Sequence, residues 1–73
     1  MTPKPTRVVN NIRALRSDVE MTQAELARRI GVTRQTVIAI EQGRYSPSLE
    51  VAFQIAHILG RRLDEVFQYR PEG

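Results

Sequence analysis

Arg34, Gln35 and Thr36 stand in a row at the head of the segment TRQTVIAIEQG, and together they offer a guanidinium, a carboxamide and a hydroxyl. Arginine pairs bidentately with guanine O6 and N7, glutamine pairs with adenine N6 and N7, and threonine meets a phosphate or a thymine methyl. These three side chains are suited to reading the edges of bases. Little else in the chain points to chemistry. Cysteine is absent, His57 is the single histidine, and no cluster of carboxylates accompanies a base. That composition argues against thiol, metal and general acid–base catalysis, so the chain does not read as an enzyme. No nucleotide or metal motif is present, and no cofactor, metal or small-molecule ligand is expected.

A short helix, a tight turn and a second short helix would be needed to present these groups, and Gln23 to Gln42 reads as that unit. Leu26, Ala27 and Ile30 share one face at helical spacing. Gly31 follows, where a chain leaving a helix commonly turns left-handed. Thr33 has the side chain to cap the next helix, which buries Val37 and Ile40. Ala27 is small where two crossing helices need room. Thr33, Arg34, Gln35 and Thr36 then lie at the end of a helix that could enter a DNA groove tip first. Ala39 is small enough to allow close approach. Gln23 heads the preceding helix, whose free N–H groups and partial positive charge suit a phosphate.

Gln at the head, Glu-Leu-Ala after it, Gly at the turn and Ile-Glu-x-Gly at the close resemble the Xre family of phage Cro and repressor proteins. The similarity runs from about Val9 to Pro71. RQT, SPSLEVAFQIA and LDEVFQY are similar to the short-repressor branch that includes the cytolysin-operon repressor. The resemblance implies an all-α, lambda-repressor-like fold of five helices, and a small two-stranded antiparallel ribbon joining the termini. It also implies a DNA-backbone contact for Gln23 and an internal ion pair between Arg16 and Glu41. A two-fold interface is implied from the fifth helix and the adjacent end of the fourth, with Ile58, Leu63 and Val66 as its candidates. Ile38 departs from the family, which commonly has Ser or Asn there on the groove side. It could meet a thymine methyl or pack against protein, and both readings stand.

The remaining segments follow from local signals. Residues 1–6, with Pro3 and Pro5, read as a flexible arm, and 7–71 as a single helix-turn-helix domain. Arg7 to Val9 and Phe67 to Tyr69 are β-prone and could pair. A first helix capped by Asn10 or Asn11 would bury Ile12, Leu15 and Val19. Thr22 and Glu25 have the spacing of a capping box, and Glu25 and Arg29 that of a surface ion pair. After Gly43, Arg44 and Tyr45 are placed to hold phosphates flanking the recognition helix, with packing as the rival role for Tyr45. Pro47 and Ser48 open a fourth helix that is apolar over most of its circumference. Its extra apolar side could face a partner. Leu63, Val66 and Phe67 belong to a short fifth helix.

A chain of 73 residues is one domain, and so small a domain gains from dimerising. Its net charge of +3, with Lys4 the lone lysine beside ten arginines, mildly favours a polyanionic partner. No apolar run is long enough to span a bilayer and no signal-peptide core is evident, which suggests a cytoplasmic protein without a membrane partner. The expected function is a sequence-specific DNA-binding transcriptional regulator, a repressor, acting on double-stranded DNA as a homodimer over a pseudo-palindromic operator. The alternatives are an antitoxin-like module that neutralises a partner protein, and a restriction–modification controller protein.

Overall fold

Two short strands and five helices follow one another in a computed structural model, which describes residues 6–72. Their order is β1 (Val8–Asn10), α1 (Ile12–Asp18), α2 (Gln23–Ile30), α3 (Arg34–Glu41), α4 (Leu49–Leu59), α5 (Leu63–Val66) and β2 (Phe67–Tyr69). The architecture is the five-helix, lambda-repressor-like arrangement with a two-stranded ribbon. Except for Thr6, the expected arm lies outside the described residues.

The ribbon is antiparallel, with Val8 opposite Tyr69, Val9 opposite Gln68 and Asn10 opposite Phe67. It begins one residue later than β propensity suggested. The Arg7 carbonyl still accepts from the Arg70 N–H at 2.9 Å, and the Arg7 guanidinium donates to the Pro71 carbonyl.

Helical spacing translates directly into the core. Leu26, Ala27 and Ile30 of α2 meet Val37 and Ile40 of α3, and Ile55, Ala56 and Leu59 of α4 close over them with Ile12 and Val66. Ile12, Leu26 and Val66 are wholly enclosed. Burying each such aliphatic side chain contributes about 1.5–3 kcal/mol. Ala27 is 3% exposed, so its missing bulk is what lets α2 and α3 cross closely. Thr22 and Ser48 cap α2 and α4 by accepting from the N–H groups of Glu25 and Val51 at 3.0 and 3.2 Å.

Three expectations need correcting. Val19 is 47% exposed, because α1 ends at Asp18 and the chain leaves helical phase; Met21 packs against the core instead. The capping box at Thr22 is only half formed, since the Glu25 carboxylate turns to Arg28 and Arg29. Neither asparagine caps α1 in the ordinary way. Asn10 Oδ1 accepts from Ile12 N–H at 3.2 Å, while the Asn11 side chain donates to the Glu65 carbonyl and ties α1 to α5.

Candidate nucleic-acid interface

The recognition segment divides cleanly by exposure. Val37 and Ile40 are 1% and 2% exposed, whereas Arg34 and Gln35 stand in solvent, with Thr36, Ile38 and Ala39 half-buried between. Thr33 Oγ accepts from the Thr36 N–H at 3.2 Å and lies 3.0 Å from the Thr36 hydroxyl. This cap fixes the first turn of α3 and leaves Arg34 and Gln35 unencumbered. Arg34, Ile38 and Gln42 recur every fourth residue, which puts them on one side of α3. All three line a cleft of about 580 Å³ between α3, α1 and the start of α2.

Behind that face, α3 is bolted to three other elements. Arg16 Nε donates to Glu41 Oε2 at 2.7 Å and Arg16 Nη2 to Glu41 Oε1 at 3.2 Å, with side chains only 13% and 8% exposed. The third guanidinium nitrogen, Nη1, donates to the Met21 carbonyl at 2.9 Å. Gln23 Nε2 donates to Glu41 Oε1 at 3.1 Å. Asn10 Nδ2 donates to the Ile40 carbonyl at 2.9 Å, which ties β1 to the last turn of α3. Thus α1, α2 and β1 all fix the angle at which α3 is presented.

The side chain of Gln23 is therefore occupied within the protein. What α2 still offers at its open end is backbone N–H, because the first turn of a helix has donors without intrahelical acceptors. Gln23 as a carboxylate partner, and Asn10 as a clamp on α3, were not read from the sequence. Each partner lies in a different element, so no local spacing marks it.

After α3 the chain turns at Gly43, with Arg44 N–H donating to the Ala39 carbonyl at 3.0 Å. The Arg44 and Tyr45 side chains are exposed. Arg28 and Arg29 point elsewhere: both donate to Glu25 Oε2, at 2.6 and 2.7 Å. Their hydrogen bonds, Arg28's first, hold the Glu25 carboxyl down at about 2 and raise the Arg28 guanidinium in turn.

The expected dimer residues separate. Ile58 and Leu63 are half-buried against the core, but Val66 is 0% exposed. Its side chain is spent on its own protomer and cannot reach a second one, which corrects the expectation. Among the described residues the large apolar side chains that face solvent are Val19, Tyr45, Leu49, Phe53 and Tyr69, and a groove lined by Leu49, Leu63, Phe67 and Tyr69 runs beside the last three. His57 is exposed on α4. Among the described residues no helix is long and apolar enough to cross a membrane, and no group of three His, Cys, Asp or Glu side chains could hold a metal ion.

Residues 12–66 match the helix-turn-helix family. An uncharacterized HTH-type transcriptional regulator of Methanothermobacter thermautotrophicus is 52% identical over 63 residues, which cover 85% of this chain and 91% of that one. The cryptic phage CTXphi transcriptional repressor RstR of Vibrio cholerae is 37% identical over 78% of this chain, which spans about half of that protein (51%). Among solved structures, the restriction–modification controller protein of Aeromonas hydrophila superposes with a TM-score of 0.67 at 30% identity, over 74% of this chain and 78% of that one.

Proposed function

The chain belongs to the helix-turn-helix family, of Xre type, and from that premise we propose that it is a transcriptional regulator that reads duplex DNA with α3. The observation that carries this reading is an exposed Arg34–Gln35 pair, without side-chain partners among the described residues, on a helix whose opposite end is bolted from behind by Arg16, Gln23 and Asn10. A rigid helix that presents a bidentate donor (Arg34) and a donor–acceptor amide (Gln35) at its tip suits direct readout in the major groove.

In this reading Arg34 and Gln35 contact bases, and Thr33 and Thr36 sit where the groove edge passes. Ile38 and Ala39 lie one turn deeper. Ile38 shares its side of α3 with Arg34 and Gln42, which favours a thymine methyl over a protein partner. The open end of α2 at Gln23, with Arg44 and Tyr45 beyond α3, would hold phosphates on either side. Residues 7–71 act as one domain. Two copies related by a two-fold axis would place two α3 helices about 34 Å apart on a pseudo-palindromic operator. Their contact would involve Ile58 and Leu63 and extend over the exposed Leu49, Phe53 and Tyr69. Binding over a promoter would make the protein a repressor. The motifs RQT, SPSLEVAFQIA and LDEVFQY support placing it in the short-repressor branch that resembles the cytolysin-operon repressor. Likeness to the Aeromonas controller protein supports a second reading, control of a restriction–modification operon by the same DNA-binding mode.

Selection of bound duplexes from a random library at fixed salt tests the proposal. A two-fold symmetric consensus is expected, bound at least about 10³-fold more tightly than bulk DNA. Recovery of no preferred sequence would overturn it.

A further inference from the structure

Six of the ten arginines are occupied within the chain: Arg7, Arg16, Arg28, Arg29, Arg61 and Arg62 each have a carboxylate or carbonyl acceptor. The other four have no side-chain partner among the described residues. Arg34 and Arg44 bracket the recognition helix and already belong to the proposed binding face, while Arg70 follows the ribbon. The fourth is Arg13, on α1 and outside the helix-turn-helix.

Its position is informative. Arg13 stands three residues before Arg16 on the same side of α1, exposed, and it lines the same cleft as Gln23, Arg34, Ile38 and Gln42. The one acid in that cleft, Glu41, is nearly buried and already takes three hydrogen bonds, two from Arg16 and one from Gln23. The floor of the cleft is therefore electrically balanced. Its walls carry Arg13 on α1 and Arg34 on α3, two guanidiniums with no hydrogen-bonded or ion-paired acid among the described residues. An exposed cation with no side-chain partner among the described residues, on the α1 edge of a face that reads bases, is complementary to a phosphate of the flanking backbone.

We propose that Arg13 is a DNA-phosphate contact, so that the binding face extends from the helix-turn-helix onto α1. This rests on the DNA-binding reading above. A phosphate contact carries no sequence information, so it strengthens binding to every duplex alike. Each neutralised phosphate also releases counterions, which gives it a distinct signature in salt.

The test is fluorescence anisotropy of Arg13→Ala on two labelled duplexes, one of random sequence and one recovered by selection, across a salt series. Arg13 is an exposed helix position where alanine is the best helix former, so the variant should keep its fold and its Tm. Affinity should fall roughly eightfold at 0.1 M salt for each protomer bound, equally on both duplexes. The slope of log K against log salt should shrink by about 0.9 per protomer. Arg13→Lys should retain the slope. Arg28→Ala, equal in charge change but already paired with Glu25, should leave it nearly unaltered. An unaltered slope for Arg13→Ala, or a loss confined to the selected duplex, would overturn the assignment while leaving the parent reading in place. Wild-type protein that binds neither duplex would overturn both.

Discussion

Glu41 is the residue on which the recognition surface turns, although it touches no base in the proposed reading. Both carboxylate oxygens are engaged, by two nitrogens of Arg16 and by Gln23, and its side chain is 8% exposed. Replacing it with alanine would strand a guanidinium that is itself only 13% exposed and would keep a single acceptor, the Met21 carbonyl. Breaking a buried pair from one side costs about 3–5 kcal/mol, and the surviving acceptor puts Glu41→Ala at the lower end. We expect Tm to fall by more than about 10 °C in a thermal melt. An unchanged melt would show that the pair contributes nothing. Arg34 is the opposite case, exposed and with no side-chain partner among the described residues, so Arg34→Ala should leave Tm alone. It should weaken binding to the selected duplex by about 1–3 kcal/mol for each half-site, and barely alter the salt slope. Equal weakening on random DNA would assign Arg34 to phosphate instead.

At the scale of the element, the helix ends reveal an imperfection. Four helices close with the same turn, in which an N–H reaches back five residues: Met21 to Arg16, Val32 to Ala27, Arg44 to Ala39 and Arg61 to Ala56. The left-handed residue in that turn is glycine after α2, α3 and α4, but after α1 it is Glu20, at φ 55°. A side chain costs about 1–2 kcal/mol in that conformation, and glycine returns roughly 0.5–1 kcal/mol of it as unfolded-state entropy. Glu20→Gly should therefore stabilise by roughly 0.5–1 kcal/mol and raise Tm by about 2–8 °C. Glu20→Ala keeps the strained φ and should gain nothing; equal gains would place the effect in the lost charge. The same turn shows what a sequence can and cannot convey. The apolar stripes of α2 and α3 were legible because local spacing decides which side of a helix is buried. Val19 was misplaced because α1 stops one residue earlier, and nothing in Ser17-Asp18-Val19-Glu20 resembles a glycine stop. Val66 was misassigned because a four-residue helix gives too little period to say whether an apolar side chain faces its own core. Arg34 and Gln35 could be picked out as an exposed polar tip, whereas the bonds of Gln23 and Asn10 to α3 required tertiary structure.

At the scale of the whole molecule, the proposed two-fold pairing needs a face for a second copy. A stable interface takes about 800 Å² from each partner, roughly a sixth of this protein's 5086 Å² surface. Leu49, Phe53 and Tyr69, exposed by 69%, 53% and 67%, are large apolar groups of the kind such an interface needs. Leu63 and Phe67 continue the apolar surface in the groove beside them. Pairing there would join the face expected from Ile58 and Leu63 to the start of α4, which follows directly on the proposed phosphate-binding loop at Arg44 and Tyr45. Leu49→Glu separates pairing from folding. Leu49 contributes little to its own core, and an acid in the first turn of α4 is favoured by the helix dipole. The variant should sediment as a monomer at concentrations where the wild type is a dimer, yet melt at the wild-type temperature once both are diluted to monomer. Affinity for a full two-fold operator should drop by about 10²–10⁴, because each half-site then binds without the gain from a linked neighbour. Affinity for a single half-site should hardly move. If Leu49→Glu still sediments as a dimer, the two-fold axis lies on another face, and the apolar start of α4 is free for a different protein.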